Sequence, residues 1–283
     1  MFNMMKMNLY QMFKTRSMYV VWLCMALIIL FTTSLQSGEG ELFPSMDEPE
    51  SAQENMVEDE GEYIQIGMSV DVPTEPGERV TVFDEVYANV SAKFIALMMG
   101  IFAVIFSLAD MGSGYIKNIG GQVRRRRSLI LSKAVALFVF TAITMLGYVV
   151  IQAVSNALFW GHLKWGNVGE LLAYTAVQIL LHFSLVMICM AISVICRSKT
   201  LSIIAAIFLC MNIVAILYGV IDRLLLKIGV KDFTISKYTV TGKIALFPMS
   251  AGRSECLGAV TVGVAFLAVM AVIACAVFEK RDI

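Results

Sequence analysis

The sequence predicts an all-α membrane protein with six transmembrane helices, an N-terminal interfacial helix and a small external segment containing a β-hairpin. Composition is the first reason. The 283 residues are 58% hydrophobic and only 16% charged, with a mean hydropathy of +0.77, whereas soluble domains are about half apolar and a quarter charged. The second reason is that the excess is concentrated in runs long enough to cross a bilayer core, which takes about 20 helical residues. The third is the pattern inside those runs. Leu, Ile, Val, Met, Phe and Ala are mixed with scattered Gly, Ser and Thr, as in packed membrane helices, and the alternation of a membrane β-barrel is missing.

Residues 1–16 place Phe2, Met5, Leu9, Met12 and Phe13 at helical spacings with Lys6, Lys14 and Arg16 elsewhere, the pattern of a helix lying at the membrane interface. The first span, 17–36, follows three basic residues as a secretory signal would. Its apolar run is long and no small-x-small cleavage site follows, so it reads as a retained helix. Residues 37–90 are polar, with fifteen acids and Arg79 as the single base. Their first half is too poor in large apolar residues to fold alone. In the second half Ile64, Ile66, Met68, Val70 and Val72 alternate with polar or small residues, a turn cluster follows at 73–78, and Arg79–Phe83 is a second β-rich run. A hairpin near 63–83 is the expectation, leaning on another element because isolated hairpins are marginal.

The second span is 91–109, followed by a loop at 110–133 and a third span at 134–158. Spans four and five are 171–195 and 201–221. Residues 222–256 hold apolar clusters too short to cross, Leu224–Leu226 and Ile244–Met249, which suits a segment that lies at the interface or dips in and returns. The sixth span is 257–278, with a short tail at 279–283. All six cysteines lie in or beside spans, without paired metal-ligand spacing, so they read as small apolar packing residues.

Formal net charge is zero but unevenly spread. With six spans and both termini in the cytoplasm, the inner segments carry thirteen of the 22 basic residues, including Arg124–Arg127. The long acidic segment falls outside. Bases near span ends set topology while acids matter little, so the expected location is the cell membrane in this orientation. The bases in 222–256 run against the trend, which long translocated segments tolerate.

Several chemistries are excluded by what the residues lack. Gly242-Lys243 is followed by Ile244 without the earlier glycine of a phosphate-cradling loop, so the chain is not expected to be an enzyme and carries no cofactor of its own. His182 and Ser184 are two positions apart in a span and face different ways, which does not make a nucleophile pair. His182 reads first as a neutral imidazole hydrogen-bonded within the bundle, and His162, between Trp160 and Trp165, as part of an interfacial aromatic belt. Lys93 and Asp110 sit at span ends, within reach of the interface. The polar in-span residues Gln152, Asn156, Gln178, His182 and Asn212 are the candidate lining of a pathway. No metal site and no nucleic-acid partner are expected.

The segment from Asp110 to Lys133 is the most distinctive. It reads Asp-Met-Gly-Ser-Gly-Tyr-Ile-Lys-Asn-Ile-Gly-Gly-Gln-Val, then four arginines, then Ser-Leu-Ile-Leu-Ser-Lys. This resembles the first cytoplasmic loop of the ABC-2 type permeases, the membrane subunits of bacterial ABC exporters, at Asp110, Gly114, Ile116, Lys117, Asn118, Arg126, Leu131, Ser132 and Lys133. The ending Phe278–Ile283, the six spans and the N-terminal interfacial helix are similar to that family as well. The resemblance implies that this loop is a coupling helix docking into a separate ABC ATPase, which would hold ATP and Mg. A face of Ile116, Ile119 and Val123 suits an apolar docking ridge, although Gly120-Gly121 depart from the family's usual helix formers. The arginine run taken alone would read as a lipid anchor. The family further implies a second permease, identical or paralogous, and export of substrates that are commonly peptides, drugs or lipids; within that range an amphipathic substrate such as an antimicrobial peptide is the expectation, and the field of the acidic segment suits a cationic one. A non-transporting sensor or scaffold, with the acidic segment as its binding module, is the alternative.

Overall fold

A computed structural model describes residues 2–38, 70–74, 78–112, 127–211, 213–228 and 234–280. Among these residues the chain is all-helical. Helices α1 (Phe2–Lys14), α2 (Arg16–Gly38), α3 (Val82–Ser91), α4 (Phe94–Gly112) and α5 (Arg127–Phe159) come first. They are followed by α6 (Val168–Cys196), α7 (Lys199–Cys210), α8 (Ile213–Lys227), a 3₁₀ turn at Ile235–Tyr238, α9 (Val240–Leu246) and α10 (Arg253–Glu279).

Four of these, α2, α5, α6 and α10, are long and apolar enough to cross a membrane, and the pair α3–α4 makes a fifth if counted as one span bent by 54°. The expected span at 201–221 is instead two shorter helices, α7 and α8, ending at Cys210 and starting at Ile213. The sequence between those two ends includes Asn212, a weak helix former.

The expected hairpin is corrected where the residues are described. Its first strand falls partly on residues outside the described set, and Val70–Thr74 carry no regular structure. Arg79–Phe83 is not a strand, because Thr81 starts a helix. The Thr81 hydroxyl accepts from the Asp84 N–H at 3.2 Å and the Asp84 carboxylate accepts from the Thr81 N–H at 2.8 Å. This reciprocal cap satisfies two helix-end donors and outweighs the strand preference of Val80, Val82 and Phe83. A third donor, Val82 N–H, reaches the Lys164 carbonyl at 2.8 Å, so the loop between α5 and α6 closes the helix start.

The antiparallel order of the bundle follows from its contacts. Lys133, near the start of α5, donates to the Phe106 and Ser107 carbonyls near the end of α4. The start of α6 meets α3, where the Phe83 and Tyr174 rings are 5.6 Å apart. Helices α4 and α6 are therefore parallel, and α5 runs against both. The core is large and aromatic: Phe102 stacks on Phe140 at 4.0 Å, and Tyr148, Leu181 and Met190 are fully buried. Small residues set the closest approaches. Ser184 donates to the Gly263 carbonyl at 2.9 Å, and a Cβ on Gly263 would press on Leu180 at 3.3 Å, so the α10 backbone lies directly against α6 side chains, as small residues allow in membrane helices.

At the opposite end of the bundle from α3, α1 forms as expected and packs along the start of α5. Asn8 donates to the Ser132 hydroxyl at 2.7 Å and Met12 is buried. Phe2, Tyr10 and Phe13 are exposed, with Lys6 over the Phe2 ring and Lys14 over the Tyr10 ring. An exposed ion pair, Arg127 to Glu279 at 2.6 Å, joins the start of α5 to the end of α10; such pairs contribute under about 1 kcal/mol.

Candidate functional site

Helix α3 organises the polar interior because its two faces carry different chemistry at the four-residue spacing that places side chains one above the other. Glu85 and Asn89 face α2 and α5; Phe83 and Tyr87 face α6. All but Tyr87 are buried, and Glu85 is 0% exposed.

On the first face, the Trp160 indole N–H donates to the Glu85 carboxylate at 3.2 Å. Gln36, with its amide nitrogen turned toward the carboxylate, donates to both oxygens at 2.7 Å. Neutral donors thus hold the acid. One turn along, Asn89 donates to the Gln152 carbonyl oxygen at 3.4 Å and to the Glu85 backbone carbonyl. Gln152 in turn donates to Asn156 at 2.9 Å and to Thr33 at 3.0 Å. The Tyr148 hydroxyl donates to the Glu85 and Val86 carbonyls. The result is a continuous polar track through α2, α3 and α5. Burial of such groups costs about 1–3 kcal/mol each unless they are bonded, and here they bond to one another. Asn89 also lines a small apolar pocket between α2 and α4, together with Met25, Ile29, Phe94 and Met98.

On the second face, Tyr174 of α6 meets Phe83, Tyr87 and Phe247 with ring centres 5.6, 5.9 and 5.7 Å away. Below that cluster Gln178 donates to the Ile244 carbonyl of α9 at 3.3 Å, and the His182 Nδ1 lies 2.8 Å from the Gln178 carbonyl. Helix α9, from the segment expected to dip in and return, is packed into the bundle here, with Val240, Ile244 and Phe247 buried.

The break between α3 and α4 adds a second ionisable group. Lys93 adopts φ of +65°, the left-handed region that is uncommon outside glycine, and its side chain is only 3% exposed. The expectation that it reaches the interface is therefore wrong: α3 continues the chain inward beyond it, so Lys93 lies between two helices and not at a span end.

The candidate pathway residues divide into two groups. Gln152 and Asn156 are bonded to each other in the α5 track, while Gln178 and His182 share a face of α6 with α3 standing between the pairs. Asn212 lies outside the described residues. So do Gly114, Ile116, Lys117, Asn118, Ile119, Val123 and Arg126 of the expected coupling loop; Asp110 belongs to α4, with its side chain outside the description. Glu85, Asn89, Gln36, Thr33 and Trp160 were not singled out from sequence. The Thr81–Asp84 cap and the offset pairs Phe83/Tyr87 and Glu85/Asn89 are the signals that mark them. His162 does more than sit in an aromatic belt. Its ring nitrogens lie 2.9 Å from the Trp160 carbonyl and 3.2 Å from the Val80 carbonyl, and a neutral ring donates to one of the two, tying the loop to the approach of α3.

Among the described residues no group of three His, Cys, Asp or Glu side chains is placed to hold a metal ion. Comparison with curated proteins gives no match. The family described as "Protein of unknown function (DUF2705)" matches residues 70–283, from the approach to α3 through the whole remaining bundle, and the chain belongs to that family.

Proposed function

We propose that the chain is the membrane permease subunit of an ATP-driven exporter that expels an amphipathic, cationic substrate such as an antimicrobial peptide, with the ATPase on a separate ABC subunit. The observation that carries this reading is helix α3. It holds a fully buried carboxylate and an asparagine in a hydrogen-bonded track, and it is broken from α4 at a buried lysine. Ionisable groups within a membrane are costly and mark substrate or ion routes, and discontinuous helices build binding sites at such depth. The ABC-2-like loop at 110–133 supplies the drive from ATP and Mg bound on the partner.

In this reading both termini and the arginine run lie in the cytoplasm of a cell-membrane protein, and a second permease, identical or paralogous, completes the route. The thirteen acids of residues 37–81, against Arg79 as the one base there, create a field that draws cationic peptides at close range. The same segment favours the second reading, a sensor or scaffold that binds without transporting.

Purification from native membranes separates the two. The exporter reading expects an ABC ATPase to co-purify and its hydrolysis to rise several-fold with a cationic amphipathic peptide. Recovery of the chain with no ATPase, or with hydrolysis indifferent to peptide, supports the sensor reading instead.

A further inference from the structure

We propose that Gln178 and His182 form an internal water-binding site beneath the aromatic cluster of α3, α6 and α9, a site separate from the α5 track.

The warrant is hydrogen-bond accounting. In the neutral ring, His182 Nδ1–H donates to the Gln178 carbonyl, which leaves Nε2 as a lone-pair acceptor. That Nε2 has no partner, and neither does the Gln178 Oε1, whose amide nitrogen is already committed to the Ile244 carbonyl. Both residues are fully buried. Two acceptors on consecutive turns of one helix face thus lack a donor in the bundle, and leaving a buried acceptor unpaired costs about 1–3 kcal/mol. The Tyr174 hydroxyl, one further turn up the same face, is also buried without a hydrogen-bond partner. Buried waters occur at such places, typically making about three hydrogen bonds to polar groups that would otherwise be unsatisfied. A water donating to Nε2 and Oε1 satisfies both acceptors, and a second can join Tyr174.

The two acceptors are enclosed on both sides. Phe83, Tyr174 and Phe247 are each 2% exposed and seal it on the α3 side. On the other side, Gly100 of α4 lies against Cys189 of α6, with a built Cβ at 3.3 Å from the sulfur. Seven residues, two turns, up these parallel helices bring Lys93 and His182 to about the same depth. The water site is therefore level with the interruption between α3 and α4, where the backbone leaves its regular ladder.

The test uses the intact protein in lipid nanodiscs with ¹⁵N-labelled histidine rings. The chain has two histidines, so two sets of ring signals arise and His162→Gln assigns them. The expected result for His182 is the Nδ1–H tautomer with Nε2 at the shift of a hydrogen-bonded imine nitrogen, together with magnetisation transfer from water to that nitrogen. Gln178→Leu, which removes the second acceptor, should diminish the transfer. A free-imine shift without water transfer in the wild-type protein overturns the proposal. So does a hydrogen-bonded shift that lacks water transfer and disappears in Tyr174→Phe, since the tyrosine hydroxyl would then be the donor. None of these readouts involves ATP or transport, so the site stands or falls independently of the exporter reading.

Discussion

Replacing Glu85 by leucine should destabilise the protein by about 2–4 kcal/mol, while Glu85→Gln should stay within about 1 kcal/mol of wild type. The carboxylate is the acceptor for the Trp160 indole and for the Gln36 amide. Leucine fills the volume but accepts nothing, so two donors lose their partner in a buried setting, at about 1–3 kcal/mol for each group left unsatisfied. Glutamine keeps a carbonyl oxygen for Trp160, and Gln36 can turn its amide to pair with the new one. The two variants therefore separate architecture from charge. If the negative charge receives a cationic substrate, Glu85→Gln folds, assembles and loses export, with thermal unfolding nearly unchanged. Thermal unfolding in detergent alongside peptide resistance of cells reads both. A Glu85→Leu protein as stable as wild type would remove the acid from the structural track.

The second large effect is expected at Gly242. It sits in the first turn of α9, and a Cβ there would overlap the Ser236 carbonyl of the preceding 3₁₀ turn, its nearest neighbours all being Ser236 backbone atoms. The obstacle is main chain, so no side-chain rotation relieves it. Gly242→Ala must push α9 away from the turn. The Gln178–Ile244 hydrogen bond and the Tyr174–Phe247 ring contact then go with it. Overpacking of this kind costs about 1–3 kcal/mol and occasionally more, and the loss of a buried hydrogen bond adds about 1 kcal/mol. A large fall in the yield of folded protein is the expected outcome, compared with Gly147→Ala, where a built Cβ meets nothing within 4 Å. Equal stability of the two variants would mean that α9 does not depend on that approach.

The spans were legible wherever an apolar run and a helix coincide. The runs at 17–36, 134–158, 171–195 and 257–278 became α2, α5, α6 and α10. Each helix extends past its run, most of all α5, which starts at Arg127, because polar residues continue a helix once it has left the apolar layer. Helix α3 was not legible as an apolar run. Val80, Val82 and Phe83 read as strand, and only the cap between Thr81 and Asp84 reverses that preference. Placing 37–90 outside as one acidic segment also hid Glu85, whose burial depends on Gln36 and Trp160, far away in sequence. The α5 half of the track was legible, since Gln152 and Asn156 are polar residues four apart in a long span. Their partners Thr33 and Asn89 are set by packing alone. The two breaks have different origins. The one after α7 ends that helix at Cys210 within an apolar run, while that after α3 rests on a left-handed lysine, which nothing local in the sequence announces.

The proposed coupling is tested most directly at residues 112–123. If this loop docks into an ATPase groove, its apolar ridge matters more than its charges, because burying one isoleucine contributes about 1.5–3 kcal/mol and an exposed ion pair under about 1 kcal/mol. Ile116→Asp and Ile119→Asp should then strip the ATPase from the purified membrane subunit, and Lys117→Ala should retain most of it. Asp110→Asn should keep the assembly but weaken hydrolysis coupled to substrate. The measurement is the amount of ATPase retained per permease, with hydrolysis followed with and without peptide. Loss of the ATPase in the two isoleucine variants is the predicted result; retention of both the ATPase and its stimulation would contradict the exporter reading at its point of drive.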